Sequence, residues 1–137
     1  MSPKFKSTRL PGVLLVEPEI HRDFRGYFLE ISQKLKYEAG GIPTEFVQTN
    51  FSSSVKGTLR GLHYQYQNPQ GKLLTVLQGE IFDVAVDVRP NSPTFREWVG
   101  VRLRAEDKGQ IFVPAGFAHG FCVLSERADV FYQCTDY

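Results

Sequence analysis

Charge of one sign is what this sequence lacks most plainly. Sixteen Lys and Arg stand against fifteen Asp and Glu in 137 residues, a net charge of +1. No global field draws in nucleic acid or an anionic membrane surface, so any anion site has to be local. Cysteine is scarce: Cys122 and Cys134 are the only two. Nothing suggests a secreted disulfide framework, and both read as reduced core or near-core thiols. Long hydrophobic runs are missing as well. The longest aliphatic stretch, residues 13–16, falls far short of the ~20 residues a membrane helix needs. The first twelve residues, MSPKFKSTRLPG, hold no apolar core of a targeting signal. The expectation is a cytoplasmic protein with neither a membrane nor a nucleic acid as partner.

What is present is aromatic: eleven Phe, six Tyr and one Trp, 13% of the chain, beside twelve Gly. Such a composition points to β-structure with tight turns, or to stacking surfaces for a flat ligand. There is no repeat and no low-complexity stretch, so residues 1–137 read as one domain. A chain of this length buries roughly 68% of its unfolded surface and needs no metal or disulfide to hold a core. Apolar runs bounded by Gly, Pro and Asn predict strands at 13–16, 26–31, 45–52, 59–66, 72–77, 81–88, 98–103, 110–113, 120–124 and 128–134. Residues 23–26 read as a turn and residues 68–71 as a break in the chain. The strand at 81–88 alternates Ile81, Asp83, Ala85, Asp87 against Phe82, Val84, Val86, Val88, with one clearly apolar face. One helix is predicted over 32–39, capped by Ser32 and stopped by Gly40-Gly41. Short strands at this spacing indicate an all-β antiparallel sandwich or small barrel, the class that includes jelly rolls.

Three histidines are available for chemistry. His21 lies in a polar turn region and reads as solvated. Strict alternation along the strand at 59–66 sets Arg60, Leu62 and Tyr64 on one side and Gly61, His63 and Gln65 on the other. His119 follows the turn PAGFA at the start of a strand. Gly57, His63, Gln65, Gly79 and the stretch 109–119 resemble the two motifs of the cupin superfamily. In its metal-binding members these motifs supply three histidines and a glutamate. Here Gln65 stands at the second histidine position and the glutamate is missing, so His63 and His119 are too few for a metal site. Arg60, Lys72, Gln48, Asn50 and Tyr132 on neighbouring strands instead suggest a wet, cationic interior suited to a phosphorylated ligand. There a histidine can take a proton, a lysine beside it can stabilise an oxyanion and a tyrosine can return a proton.

Six segments resemble, in order, the signatures of the dTDP-4-dehydrorhamnose 3,5-epimerase family: HRDFRGYFLE at 21–30, QTNFSSS at 48–54, GTLRGLHYQ at 57–65, DVAVDVR at 83–89, SPT at 92–94 and PAGFAHGF at 114–121. The resemblance implies a cupin-type jelly roll, a homodimer, and neither metal nor organic cofactor. It implies as substrate a nucleotide-diphosphate-linked 4-keto-6-deoxyhexose, dTDP being the expected nucleotide. Carried over, His63 is the general base, Tyr132 the acid on the opposite face, and Lys72 holds the C4 oxygen as it becomes an enolate, with His119 nearby. Arg25 and Arg60 bind the diphosphate. Gln48, Thr49, Asn50 and Glu30 contact nucleotide or sugar, and Phe28 resembles the aromatic that stacks near the base, often from the partner subunit. Members usually continue beyond the position of Tyr137 with an Asp that orients the catalytic histidine, so the chain reads as C-terminally short. Asp83 either substitutes for that carboxylate or pairs with His119. A sugar-nucleotide 3,4-ketoisomerase and a shortened sugar-nucleotide-binding cupin with little activity are the competing expectations.

Overall fold

The computed structural model describes residues 2–67 and 69–137. Of the predicted break at 68–71, Asn68 lies outside the described residues, as does Met1. Among the described residues the strands are β1 (Lys4–Ser7), β2 (Leu14–Glu17), β3 (Ile20–Asp23), β4 (Gly26–Leu29), β5 (Gln48–Val55), β6 (Leu59–His63), β7 (Lys72–Gln78), β8 (Glu80–Asp87), β9 (Trp98–Arg104), β10 (Gln110–Val113), β11 (Phe117–Val123) and β12 (Arg127–Cys134). The single α-helix among the described residues, α1, spans Lys34–Ala39. A six-stranded sheet runs in the order β1-β2-β10-β7-β12-β5, and a four-stranded sheet in the order β6-β11-β8-β9. The two face each other as a cupin-type jelly-roll sandwich, with every ladder antiparallel. Strands β3 and β4 form a separate hairpin. Among the described residues no helix is long and apolar enough to cross a membrane.

The main core fills the space between the sheets, where Leu74, Val76, Ile81, Ile111 and Val130 are almost wholly enclosed. A second cluster lies on the outer side of the six-stranded sheet, where Tyr37 of α1 and Ile42 cover Leu73 and Phe112. Strand β7 is therefore buried on both faces, which is why KLLTVLQ is a nearly continuous apolar run and not an alternation. Cys122 is half-buried and Cys134 buried, both as free thiols.

Three local expectations are corrected. Helix α1 begins two residues later than predicted, and its cap is Gln33, whose side chain accepts from the Lys36 amide at 2.8 Å; Ser32 does not cap it. Strand β8 buries Ile81, Asp83, Ala85 and Asp87 and leaves the more apolar row, Phe82, Val84 and Val86, half-buried on the outer face. The two inward acids are tolerated because each is paired, as buried charge must be. The third correction concerns β6. His63 pairs with His119, but Arg60 pairs with Phe121, so the register shifts between them. Gly61 and Leu62 together oppose Gly120, a β-bulge that turns Arg60 and His63 to the same side. Gly61 has φ +103, and a Cβ there would lie 2.6 Å from the His119 carbonyl oxygen. Only glycine permits that conformation and that close approach.

Candidate functional site

Strand register assembles the site from both sheets. On the inward face of β7, β12 and β5, Lys72 lies level with Cys134 and Gln48, Leu74 with Tyr132 and Asn50, and Val76 with Val130 and Ser52. Across the sandwich, β11 presents His119 and β6 presents His63 and Arg60. Ser52, Arg60, His63, Lys72, His119 and Tyr132 meet around a cavity of about 100 Å³, floored by Leu74 and Phe121. His63, Lys72 and His119 also line a larger cleft of about 460 Å³, walled by Gln65, Pro69, Gly116 and Phe117. The two hollows share those three side chains and form one groove, of a size that accommodates a sugar ring.

Within the groove the polar groups have defined partners. The Lys72 ammonium lies 5.9 Å from the centroid of the Tyr132 ring. Arg60 donates from Nε to Ser54 Oγ at 2.9 Å, which fixes the guanidinium while its terminal nitrogens keep their donors for a ligand. His119, nearly enclosed, has Nε2 2.8 and 2.9 Å from the two oxygens of Asp83. Asp83 thus serves His119, and among the described residues His63 has no orienting carboxylate. Burial pushes the Asp83 carboxyl up from the ordinary value, opposed by its contact with His119 and by Lys72. Burial likewise raises the Cys134 thiol, against the pull of Lys72. Among the described residues no three His, Cys, Asp or Glu side chains converge as a metal would require.

Other residues named from the sequence lie apart from this groove. Thr49 pairs with Gln133 and points to the face opposite Gln48 and Asn50. Asn50 donates toward Cys134 Sγ at 3.9 Å. Glu30 is held by Lys36 at 3.0 Å. Arg25 and Phe28 stand on the β3–β4 hairpin around a separate hollow with His21, and Arg25 is clamped by Asp23 at 2.7 Å. Phe24 at the hairpin tip is 98% exposed and Phe28 62%. His21 is exposed, 3.8 Å from Glu19. Sequence reasoning overlooked Ser52 and Ser54. Their signal was available: positions 48, 50, 52 and 54 are all polar at strand period, marking one hydrophilic row.

A family model described as dTDP-4-dehydrorhamnose 3,5-epimerase matches residues 7–137. The enzyme of that name from Pseudomonas aeruginosa is 56% identical over 135 residues, covering 96% of this chain and 75% of the relative. The one from Methanothermobacter thermautotrophicus is 51% identical over 133 residues, covering 97% and 72%. Among solved structures, the dTDP-6-deoxy-D-glucose-3,5-epimerase of Legionella pneumophila, in complex with dTDP-4-keto-L-rhamnose, superposes with a TM-score of 0.95 at 55% identity, covering 98% of this chain and 72% of that one. A 3'-monoepimerase from Streptomyces bikiniensis, in complex with dTDP-quinovose, gives 0.89 at 33% identity, covering 100% and 68%. The chain belongs to the dTDP-4-dehydrorhamnose 3,5-epimerase family, whose members are isomerases.

Proposed function

We propose that this epimerase inverts C3, C5 or both of a dTDP-linked 4-keto-6-deoxyhexose in rhamnose-type deoxysugar biosynthesis, through side chains of the groove and without a metal or organic cofactor. The observation that carries the reading is the meeting of His63, Lys72 and Tyr132 around one cavity, drawn from facing sheets. A C4 ketone acidifies the adjacent C–H bonds. His63 takes the proton, the electron pair moves onto the C4 oxygen, and the Lys72 ammonium holds the resulting enolate. The Tyr132 hydroxyl returns a proton to the opposite face of the ring, which inverts the centre. Proton exchange with solvent restores neutral His63 and the tyrosine hydroxyl. Arg60 faces the diphosphate, and the row of Gln48 and Asn50 runs toward the nucleotide.

Residues 1–137 act as one cupin-type domain in a cytoplasmic homodimer. The exposed β3–β4 hairpin supports this assembly: Arg25 and Phe28 are remote from their own chain's groove, and a second subunit gives them a groove to reach. Incubation of dTDP-4-keto-6-deoxyglucose in D₂O tests the reading. Wild-type protein should incorporate deuterium at C3, C5 or both. His63→Ala should slow uptake by roughly 10²–10⁴-fold. Tyr132→Phe should leave proton abstraction measurable while inversion fails. No uptake with intact protein, or ketone migration between C3 and C4 in place of inversion, refutes it.

A further inference from the structure

Two acids, Asp83 and Asp87, are completely enclosed by the sandwich. Asp87 is satisfied by Arg89, Ser92 and Thr94. Asp83 instead spends both oxygens on one nitrogen of His119. An ionised carboxylate only accepts hydrogen bonds, so this contact requires a proton on Nε2. In a neutral imidazole the other nitrogen, Nδ1, is then a bare acceptor. Among the described residues Nδ1 has no hydrogen-bond partner, and His119 lines both parts of the groove. Burial raises the Asp83 carboxyl, while the His119 contact and Lys72, which shares the groove, favour its ionised form.

We propose that Asp83 is a positioning residue that holds His119 in the Nε2–H form, so that Nδ1 meets the substrate as a fixed hydrogen-bond acceptor for a sugar hydroxyl. His119 then grips the ring and does not carry the transferred proton. The inference rests on the epimerase reading for its substrate and adds a selectivity to it. A hexose with a hydroxyl at that position pairs with Nδ1, whereas a deoxygenated analogue leaves a desolvated acceptor unpaired and binds less well.

The test begins on the wild-type protein without substrate. The sequence holds three histidines, so ¹⁵N-histidine labelling gives three ring systems, and His119→Gln identifies the one that matters. Long-range ¹⁵N–¹H correlation at alkaline pH should show His119 protonated at Nε2. A ring protonated at Nδ1, as a neutral Asp83 donating to Nε2 would produce, overturns the proposal. Asp83→Asn can turn its amide NH₂ toward the ring and should release the Nδ1–H form. With substrate, both Asp83→Asn and His119→Gln should raise KM about tenfold, the worth of one hydrogen bond, with kcat within about twofold. A large fall in kcat at unchanged KM in His119→Gln also overturns it, by assigning His119 to proton transfer. The tautomer is read without turnover. Failure of wild-type deuterium uptake would therefore reject the epimerase reading alone, and a wrong tautomer would reject this one alone.

Discussion

Alanine at position 87 should unfold this protein more readily than any exposed charge deletion. The Asp87 carboxylate, at the end of β8, accepts from the Arg89 backbone amide and Nε at 3.0 Å each, from Arg89 Nη2 at 2.9 Å, and from the Ser92 and Thr94 hydroxyls at 2.5 Å each. Losing one member of a buried pair costs about 3–5 kcal/mol. The Arg89 side chain remains 45% exposed and recovers water, which puts the expectation near the lower bound, about 3 kcal/mol. For a chain of this size that is a fall in Tm of about 10 °C. Asp107→Ala is the control, because its ion pair with Arg104 is long, at 3.3 Å, and well exposed; it should cost under ~0.5 kcal/mol. Urea unfolding followed by circular dichroism measures both. The same bonds, above all those from Arg89, hold the Asp87 carboxyl well below the usual carboxylate range. A depressed folded-state value stabilises above the unfolded value of about 3.9 and loses that contribution as pH falls toward the folded one. The stability gap between wild type and Asp87→Asn should therefore be full at pH 7 and close progressively below about pH 4. A loss under ~1 kcal/mol in Asp87→Ala, or a gap that persists unchanged into acid, would refute the reasoning.

Two further outcomes follow from single residues. The Tyr37 hydroxyl lies 2.8 Å from Gln110 Oε1 and 2.7 Å from the Ile31 carbonyl, so Tyr37→Phe should cost about 1–3 kcal/mol in the same unfolding assay. Burial pushes that phenol up to about 12; the folded state keeps its proton, so stability should decline between about pH 10 and 12, and ultraviolet titration should find one tyrosine ionising last. Gly120→Ala places a Cβ 2.6 Å from the Arg60 carbonyl oxygen. It should prise β6 from β11 and abolish most deuterium uptake, while circular dichroism still reports a folded sandwich.

Composition and turn spacing were enough to read the sandwich, because Gly and Pro punctuate nearly every strand and Gln110–Val113 is bounded as expected. Two strands went unread for a physical reason. Lys4–Ser7 is a short, mostly polar edge, and Ile20–Asp23 belongs to a hairpin with no core face to impose alternation. In β8 the pattern showed two faces but not which one was inside, since Asp83 and Asp87 are compatible with burial only through partners far along the chain or folded back from the next loop. His63 stood in a quoted motif, whereas Lys72 and Tyr132 were read from neighbouring strands and from the family resemblance; the meeting of the three around one cavity is a product of register between strands. The shared orientation of Arg60 and His63 was not legible, because a bulge breaks the two-residue period on which the reading relied.

That bulge also decides where the chain tolerates changes of length. Side chains on a strand change sides with every residue, so removing either Gly61 or Leu62 restores simple pairing and leaves Arg60 and His63 on the same side, whereas removing both turns them to opposite sides. An insertion in β11 has the same consequence for His119 against Asp83. Between β6 and β7, by contrast, Tyr64, Gln65, Pro69 and Gln70 line one wall of the open groove and belong to no strand. Variation in length belongs there, where it resizes the mouth for a different sugar while the proton-handling groups stay in phase.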